Sequence, residues 1–105
     1  MFTLRWSNEA RAQYDSLKDA ALKQKTGKRA GLFKQVHKTL TFLANNPRHP
    51  SLNTHKYMSI VDPARKGREV FEAYAQDNTP GAYRIFWCYG PDKGEITIIA
   101  ITPHP

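Results

Sequence analysis

Apolar and polar residues alternate from the first positions of the chain. Phe2, Leu4 and Trp6 are separated by Thr3 and Arg5, which places one apolar row on one face of a short strand. The period then lengthens. Ser7 suits a helix N-cap, Glu9 complements the positive end of the helix, and Ala10, Tyr14, Leu17 and Ala21 recur at helical spacing until Gly27, predicting a helix over Asn8 to Lys25. Leu32, Phe33, Val36, Leu40 and Leu43 mark a second helix, ended by Asn45-Asn46-Pro47, because the residue before a proline is driven out of the helical region. Two helices joined by a Gly-bearing turn make a helical hairpin.

Between Arg48 and Arg68 the pattern weakens; Leu52 to Met58 reads as an extended segment and Ser59 to Gly67 as a polar, basic loop. The period then becomes two. Val70 to Ala75, Tyr83 to Tyr89 and Glu95 to Thr102 are rich in aromatic and β-branched residues, which favours strands. Asp77-Asn78-Thr79-Pro80-Gly81 and Gly90-Pro91-Asp92-Lys93-Gly94 are turn-forming and of hairpin length, so the three strands are expected to pair as an antiparallel meander. The predicted fold class is α+β, in the order β-α-α-β-β-β, with the helical hairpin packed on one face of a small antiparallel sheet. The other face is expected to be free.

With 105 residues the chain suits a single domain spanning 1–105 with one core. The longest purely apolar run, Ile98 to Ile101, is too short to span a bilayer, and the N-terminus lacks secretory features, so a soluble, cytoplasmic protein is expected. Cys88 is the single cysteine; no intrachain disulfide is available and no Cys/His spacing suggests zinc. No Walker loop, GxSxG elbow, HExxH helix or paired-carboxylate motif is present, which leaves nucleotide hydrolysis, serine catalysis, zinc proteolysis and glycoside hydrolysis without support. No metal or small-molecule cofactor is implied.

Charge changes this picture. Sixteen Lys and Arg against nine Asp and Glu give a net charge of +7, which favours a polyanion or an acidic partner. The excess is local: Lys18, Lys23, Lys25, Lys28, Arg29, Lys34 and Lys38 are opposed over that stretch by Asp19 alone. Either these side chains are a solvated helix face or, Lys18 apart and together with Arg48, they bind a polyanion such as RNA.

Four segments carry a family resemblance. They are the opening strand running into a helix (Phe2 to Ala10), the Asn46-Pro47 helix end, Val70-Phe71-Glu72-Ala73-Tyr74, and Gly81-Ala82-Tyr83-Arg84-Ile85-Phe86-Trp87, which is similar to a G-x-YR strand. In order and spacing they resemble the RelE/ParE toxin superfamily over nearly the whole chain. The resemblance implies a toxin of a type II toxin-antitoxin system, neutralised by an acidic cognate antitoxin. RelE-like and HigB-like members are ribosome-associated ribonucleases that cut messenger RNA, whereas ParE-like members poison DNA gyrase. The first branch is the expectation here, with ribosome and mRNA as partners. A gyrase inhibitor and a catalytically inert relative that binds RNA or the antitoxin are the alternatives.

Metal-free RNA cleavage needs a base for the ribose 2′-hydroxyl, cations for the phosphorane and an acid for the leaving 5′-oxygen. Arg84 shares strand parity with Phe86 and Cys88, opposite to Tyr83, Ile85 and Trp87, and so points away from the helices if the latter row faces them. The resemblance makes it a phosphate-gripping arginine; the bland alternative is a cross-strand charge pair with a residue such as Glu72. His104, held between Pro103 and Pro105, resembles by position the catalytic residue that several RNA-cutting relatives carry beyond the last strand. Arg48, His49, His55 and Lys56 cluster ahead of the meander. Lys56 would stabilise phosphate charge and His49 or His55 would be the base, against readings as a loop histidine and a half-exposed strand histidine. His37 is expected to be partly buried and structural, and most of Tyr74, Tyr83, Trp87 and Tyr89 to be core, the alternative for any that face outward being to stack on unpaired RNA bases.

Overall fold

The computed structural model describes residues 1–24, 27–57, 68–76 and 81–103. Strand β1 (Thr3–Trp6) leads into helices α1 (Asn8–Lys23) and α2 (Lys28–Asn45), a 3-10 turn at Pro50–Leu52, and strands β2 (His55–Lys56), β3 (Phe71–Tyr74), β4 (Tyr83–Tyr89) and β5 (Glu95–Pro103). The α+β class and the helical hairpin agree with the sequence pattern. Helix α1 ends two residues earlier than predicted: Gln24 is extended, and its N–H closes the last turn on the Ala20 carbonyl at 3.0 Å. Gly27 sits at φ +104° as the N-cap of α2, a conformation that glycine adopts without a side-chain clash.

The sheet order is β1-β5-β4-β3-β2. Strands β3 to β5 pair as the expected antiparallel meander and β2 adds antiparallel to β3, but β1 lies parallel to β5, Leu4 opposite Ile96, so the sheet is mixed rather than antiparallel. Parallel neighbours need a long crossover; the helices and the meander supply one, and residue patterning carries no information on strand direction. The expected extended segment Leu52 to Met58 is shorter than predicted. Pro50 suits the first turn of a helix, the His49 side chain accepts from the Ser51 N–H at 3.1 Å, and Asn53 adopts the left-handed conformation at φ +47° before the two residues of β2. The predicted loop Ser59 to Gly67 lies outside the described residues.

Leu17, Val36, Leu40 and Leu43 of the helices pack with Ile85 and Trp87 of β4 and Ile96, Ile98 and Ile101 of β5. The β5 spacing departs from strict alternation because of a bulge: Trp87 lies opposite Ile98, whereas Phe86 lies opposite Ala100. The extra residue moves Ile99 and Ala100 to the far face and returns Ile101 to the helices. Side chains of α1 and its cap satisfy the irregular backbone, since Ser7 donates its hydroxyl to the Ile99 carbonyl at 2.6 Å and Gln13 accepts from the Ile101 N–H at 2.6 Å. The far face, expected to be free, carries a second cluster of Val70, Phe86, Cys88, Ile99 and Ala100 with Tyr57 against it. Each of these side chains is apolar enough to leave water once a neighbour covers it.

Candidate functional site

Strand pairing brings four polar side chains together on the face away from the helices. His55 of β2 lies opposite Glu72 of β3, and Tyr74 of β3 lies opposite Arg84 of β4. Directly opposed residues share a face. The His55 Nε2 is 2.6 Å from Glu72 Oε1, with Glu72 buried and His55 about half exposed. His55 Nδ1 is 3.0 Å from the Asn53 carbonyl; because a carbonyl only accepts, Nδ1 carries the proton. The other ring nitrogen thus faces a buried carboxylate, and the imidazole also meets Tyr74 edge-on at 5.6 Å.

Arg84 is on the predicted face, away from the helices, but that face is covered there and the side chain is 1% exposed. Its guanidinium lies 3.8 Å from the centre of the Tyr74 ring, and one terminal nitrogen donates to the Tyr83 carbonyl at 3.1 Å. Sequence parity sets the face of a side chain, whereas its exposure depends on what covers that face. Lys56 does not join the cluster. It lies opposite Phe71, whose ring packs with the helix-side core, and its ammonium pairs with Glu69 at 3.0 Å. One residue along a strand reverses the face, so His55 and Lys56 cannot both look the same way.

His49 is also apart from the cluster: it caps the 3-10 turn and stacks on Phe42 at 4.4 Å. His37 is exposed, not partly buried, with Nδ1 3.4 Å from the Tyr14 hydroxyl. Trp87 is core as expected, Tyr74 and Tyr83 are half-buried, and Tyr89 is exposed. His104 and Lys25 lie outside the described residues. Thr102, two positions before His104, lies opposite Arg84.

Lys23, Lys28, Arg29, Lys34 and Lys38 are all exposed. Lys38 joins His55 and Tyr74 in lining a cavity of about 770 Å³, together with Gln35, Asn53 and Gln76. No carboxylate lines it among the described residues. Lys28, Arg29 and Lys34 line a neighbouring groove of about 710 Å³ that shares Gln35 and Gln76. These two amides form a directed chain: the Tyr83 N–H donates to Gln76 Oε1 at 2.8 Å, and Gln76 Nε2 donates to Gln35 Oε1 at 3.2 Å. Lys38 and the half-exposed His55 therefore border one depression, and Lys28, Arg29 and Lys34 an adjoining one, both without a carboxylate among the described residues and suited to an anion.

The sequence pattern offers Glu72 only as a charge partner for Arg84. Its place as the single carboxylate in an otherwise apolar strand is the available signal, because a carboxylate seldom enters a buried row without a partner. Among the described residues no three His, Cys, Asp or Glu side chains gather as a metal site, and no helix is long and apolar enough to cross a membrane.

No protein-family model and no curated protein matches the chain. Solved structures do. A YoeB/ParE toxin from Agrobacterium tumefaciens superposes with a TM-score of 0.63 at 10% identity over 100% of both chains. The chain has the RelE/ParE toxin fold. The archaeal RelE-RelB complex from Pyrococcus horikoshii gives a TM-score of 0.60 at 12% identity, over 97% of this chain and 93% of that one. The E. coli RelBE toxin-antitoxin complex gives 0.59 at 14% identity, over 100% and 99%. In that fold, His55 sits on the edge strand β2 with Glu72 on the neighbouring β3, and Lys38 of α2 borders the same depression.

Proposed function

We propose that this protein is a toxin of the RelE/ParE kind that cuts messenger RNA on the ribosome, without a metal, and is neutralised by an acidic antitoxin. The observation that carries this reading is the half-exposed His55 held 2.6 Å from the buried Glu72 in a cavity it shares with Lys38. An imidazole with one fixed proton and a carboxylate behind it is equipped to move a proton, and the ring contacts substrate by exchanging one of its two present partners. Lys38, and the more distant Lys28, Arg29 and Lys34, attract and orient the RNA backbone. Arg84, held by Tyr74, contributes fixed positive charge to the same face, and His104 is the second proton-transfer group. The ribosome supplies the remaining positioning of the strand. A surface of net charge +7 suits both a ribosomal target and an acidic partner that covers it.

A second reading, a non-enzymatic inhibitor of DNA gyrase, is favoured by one observation: Arg84 is buried, as a structural arginine would be. The two readings part in a single experiment, in which the chain is induced in cells and RNA 5′ ends are mapped alongside DNA integrity. Codon-phased cuts that vanish in His55→Gln and in His104→Ala support the nuclease. Gln keeps an amide donor for Glu72 while removing the titrating ring, so loss of cutting without loss of folding isolates proton transfer. Broken DNA with intact RNA supports the gyrase reading, and growth without arrest removes both.

A further inference from the structure

Asn53 and Thr54 line two cavities, the one that contains Lys38 and His55 and a second of about 470 Å³. The second is bordered by Arg48, His49, Trp87 and Tyr89 and, among the described residues, by no carboxylate. Two polar atoms in its lining residues are buried with no hydrogen-bond partner among the described residues, the indole N–H of Trp87 and the hydroxyl oxygen of Thr54. Trp87 is 1% exposed. Buried polar groups are almost always paired, so two orphans around one cavity ask for an occupant.

The rest of the lining says what kind. His49 accepts at Nδ1 from Ser51, so in the neutral ring the proton is on Nε2, a donor. Arg48 makes no ion pair among the described residues. Phe71 stacks on Trp87 at 4.9 Å and Tyr89 meets Trp87 edge-on at 4.9 Å, giving the cavity aromatic walls. Its volume is in the range of small-molecule pockets. A flat ring bearing carbonyl acceptors matches neutral donors between aromatic walls, whereas a protein carboxylate would find one cation and little else. Asn53, the one described non-glycine residue with positive φ, turns the backbone between the two cavities.

We propose that this second cavity binds an unstacked nucleobase of single-stranded RNA, next to the nucleotide whose phosphate lies at Lys38 and His55. The inference rests on the RNA-cutting reading for its substrate. The base stacks on the exposed Tyr89, its carbonyl oxygens accept from Trp87 and Thr54 once the side chains that seal these two buried atoms give way, and Arg48 takes the adjoining phosphate.

The test uses the purified chain and a 2′-O-methyl tri-uridylate, which cannot be cleaved because the attacking hydroxyl is blocked. The chain has two tryptophans, whose indole N–H resonances separate Trp6 from Trp87. The trinucleotide is expected to move the Trp87 signal and leave that of Trp6 in place. An otherwise identical trinucleotide with one abasic position is expected to bind at least about tenfold more weakly, and Arg48→Ala, at a loop surface, to weaken binding while preserving the spectrum of the folded chain. Equal affinity of the abasic probe, or a Trp87 signal that stays still while RNA binds elsewhere, overturns the proposal. So does a Trp87 signal that answers only to an acidic peptide, which would make the cavity a protein anchor. Binding to this cavity by a chain that cuts no RNA in cells would retain the pocket and reject the nuclease; cutting with an unmoved Trp87 would do the reverse.

Discussion

Arg84 fills space as well as carrying charge. Its side chain is one of the largest among the fully buried ones, and its guanidinium lies over Tyr74 at 3.8 Å. Arg84→Ala therefore removes a cation–π interaction and leaves a cavity, and is expected to cost about 2–5 kcal/mol of stability, read as a lower midpoint in urea denaturation. Loss of the proposed activity in that variant would report unfolding as readily as impaired chemistry; His55→Gln, at a half-exposed residue, is the cleaner probe. The alternation of Tyr83 to Tyr89 is enough to assign Arg84 to the face away from the helices. Its burial is not legible, because it depends on residues that fold over from elsewhere. The pairing of His55 with Glu72 is hidden for a related reason: seventeen positions separate them in sequence, and the register that opposes them is a property of two strands together.

At the scale of elements, α1 does more than cover the sheet. Ser7 accepts from the Ala10 N–H at 3.0 Å as an N-cap and donates to the Ile99 carbonyl at 2.6 Å, tying the start of the helix to the bulge in β5. Ser7→Ala removes both hydrogen bonds and is expected to cost roughly 2–4 kcal/mol by thermal or chemical denaturation. Ser7→Asp retains a capping acceptor but no proton for the carbonyl, so it should be destabilised as well; full stability in Ser7→Asp would show that capping alone matters. The sequence announces the cap through Ser7 and Glu9, and the helices through their period. The bulge leaves only the trace Ile98-Ile99-Ala100-Ile101, an unbroken apolar run that fits a buried strand equally well. The direction of β1 leaves none, since a strand's residues do not depend on whether its neighbour runs with it or against it.

For the whole molecule, the uneven distribution of charge matters more than its total. Lys28, Arg29, Lys34 and Lys38 border adjoining depressions on one side of α2, in keeping with the excess of lysine over acid in that stretch of sequence. Lys34→Glu combined with Lys38→Glu is expected to leave stability within about 0.5 kcal/mol, because both side chains are exposed. The same pair should flatten the salt dependence of single-stranded RNA binding by about 0.7 in log–log slope for each phosphate that is no longer neutralised, measured by anisotropy across a salt series. An unchanged slope would assign these lysines to solvation alone.

The parallel pairing of β1 with β5 has a consequence for the order of assembly. Leu4 meets Ile96, so the first strand to be synthesised waits, without its sheet neighbour, until the last one has emerged. The helical hairpin needs only local contacts and can form well before then. A nascent chain would thus display its lysine-rich helices while its sheet, and every group that the sheet aligns, is still incomplete. Under the proposed function, that interval allows a partner recognising the hairpin to arrive before the molecule is finished.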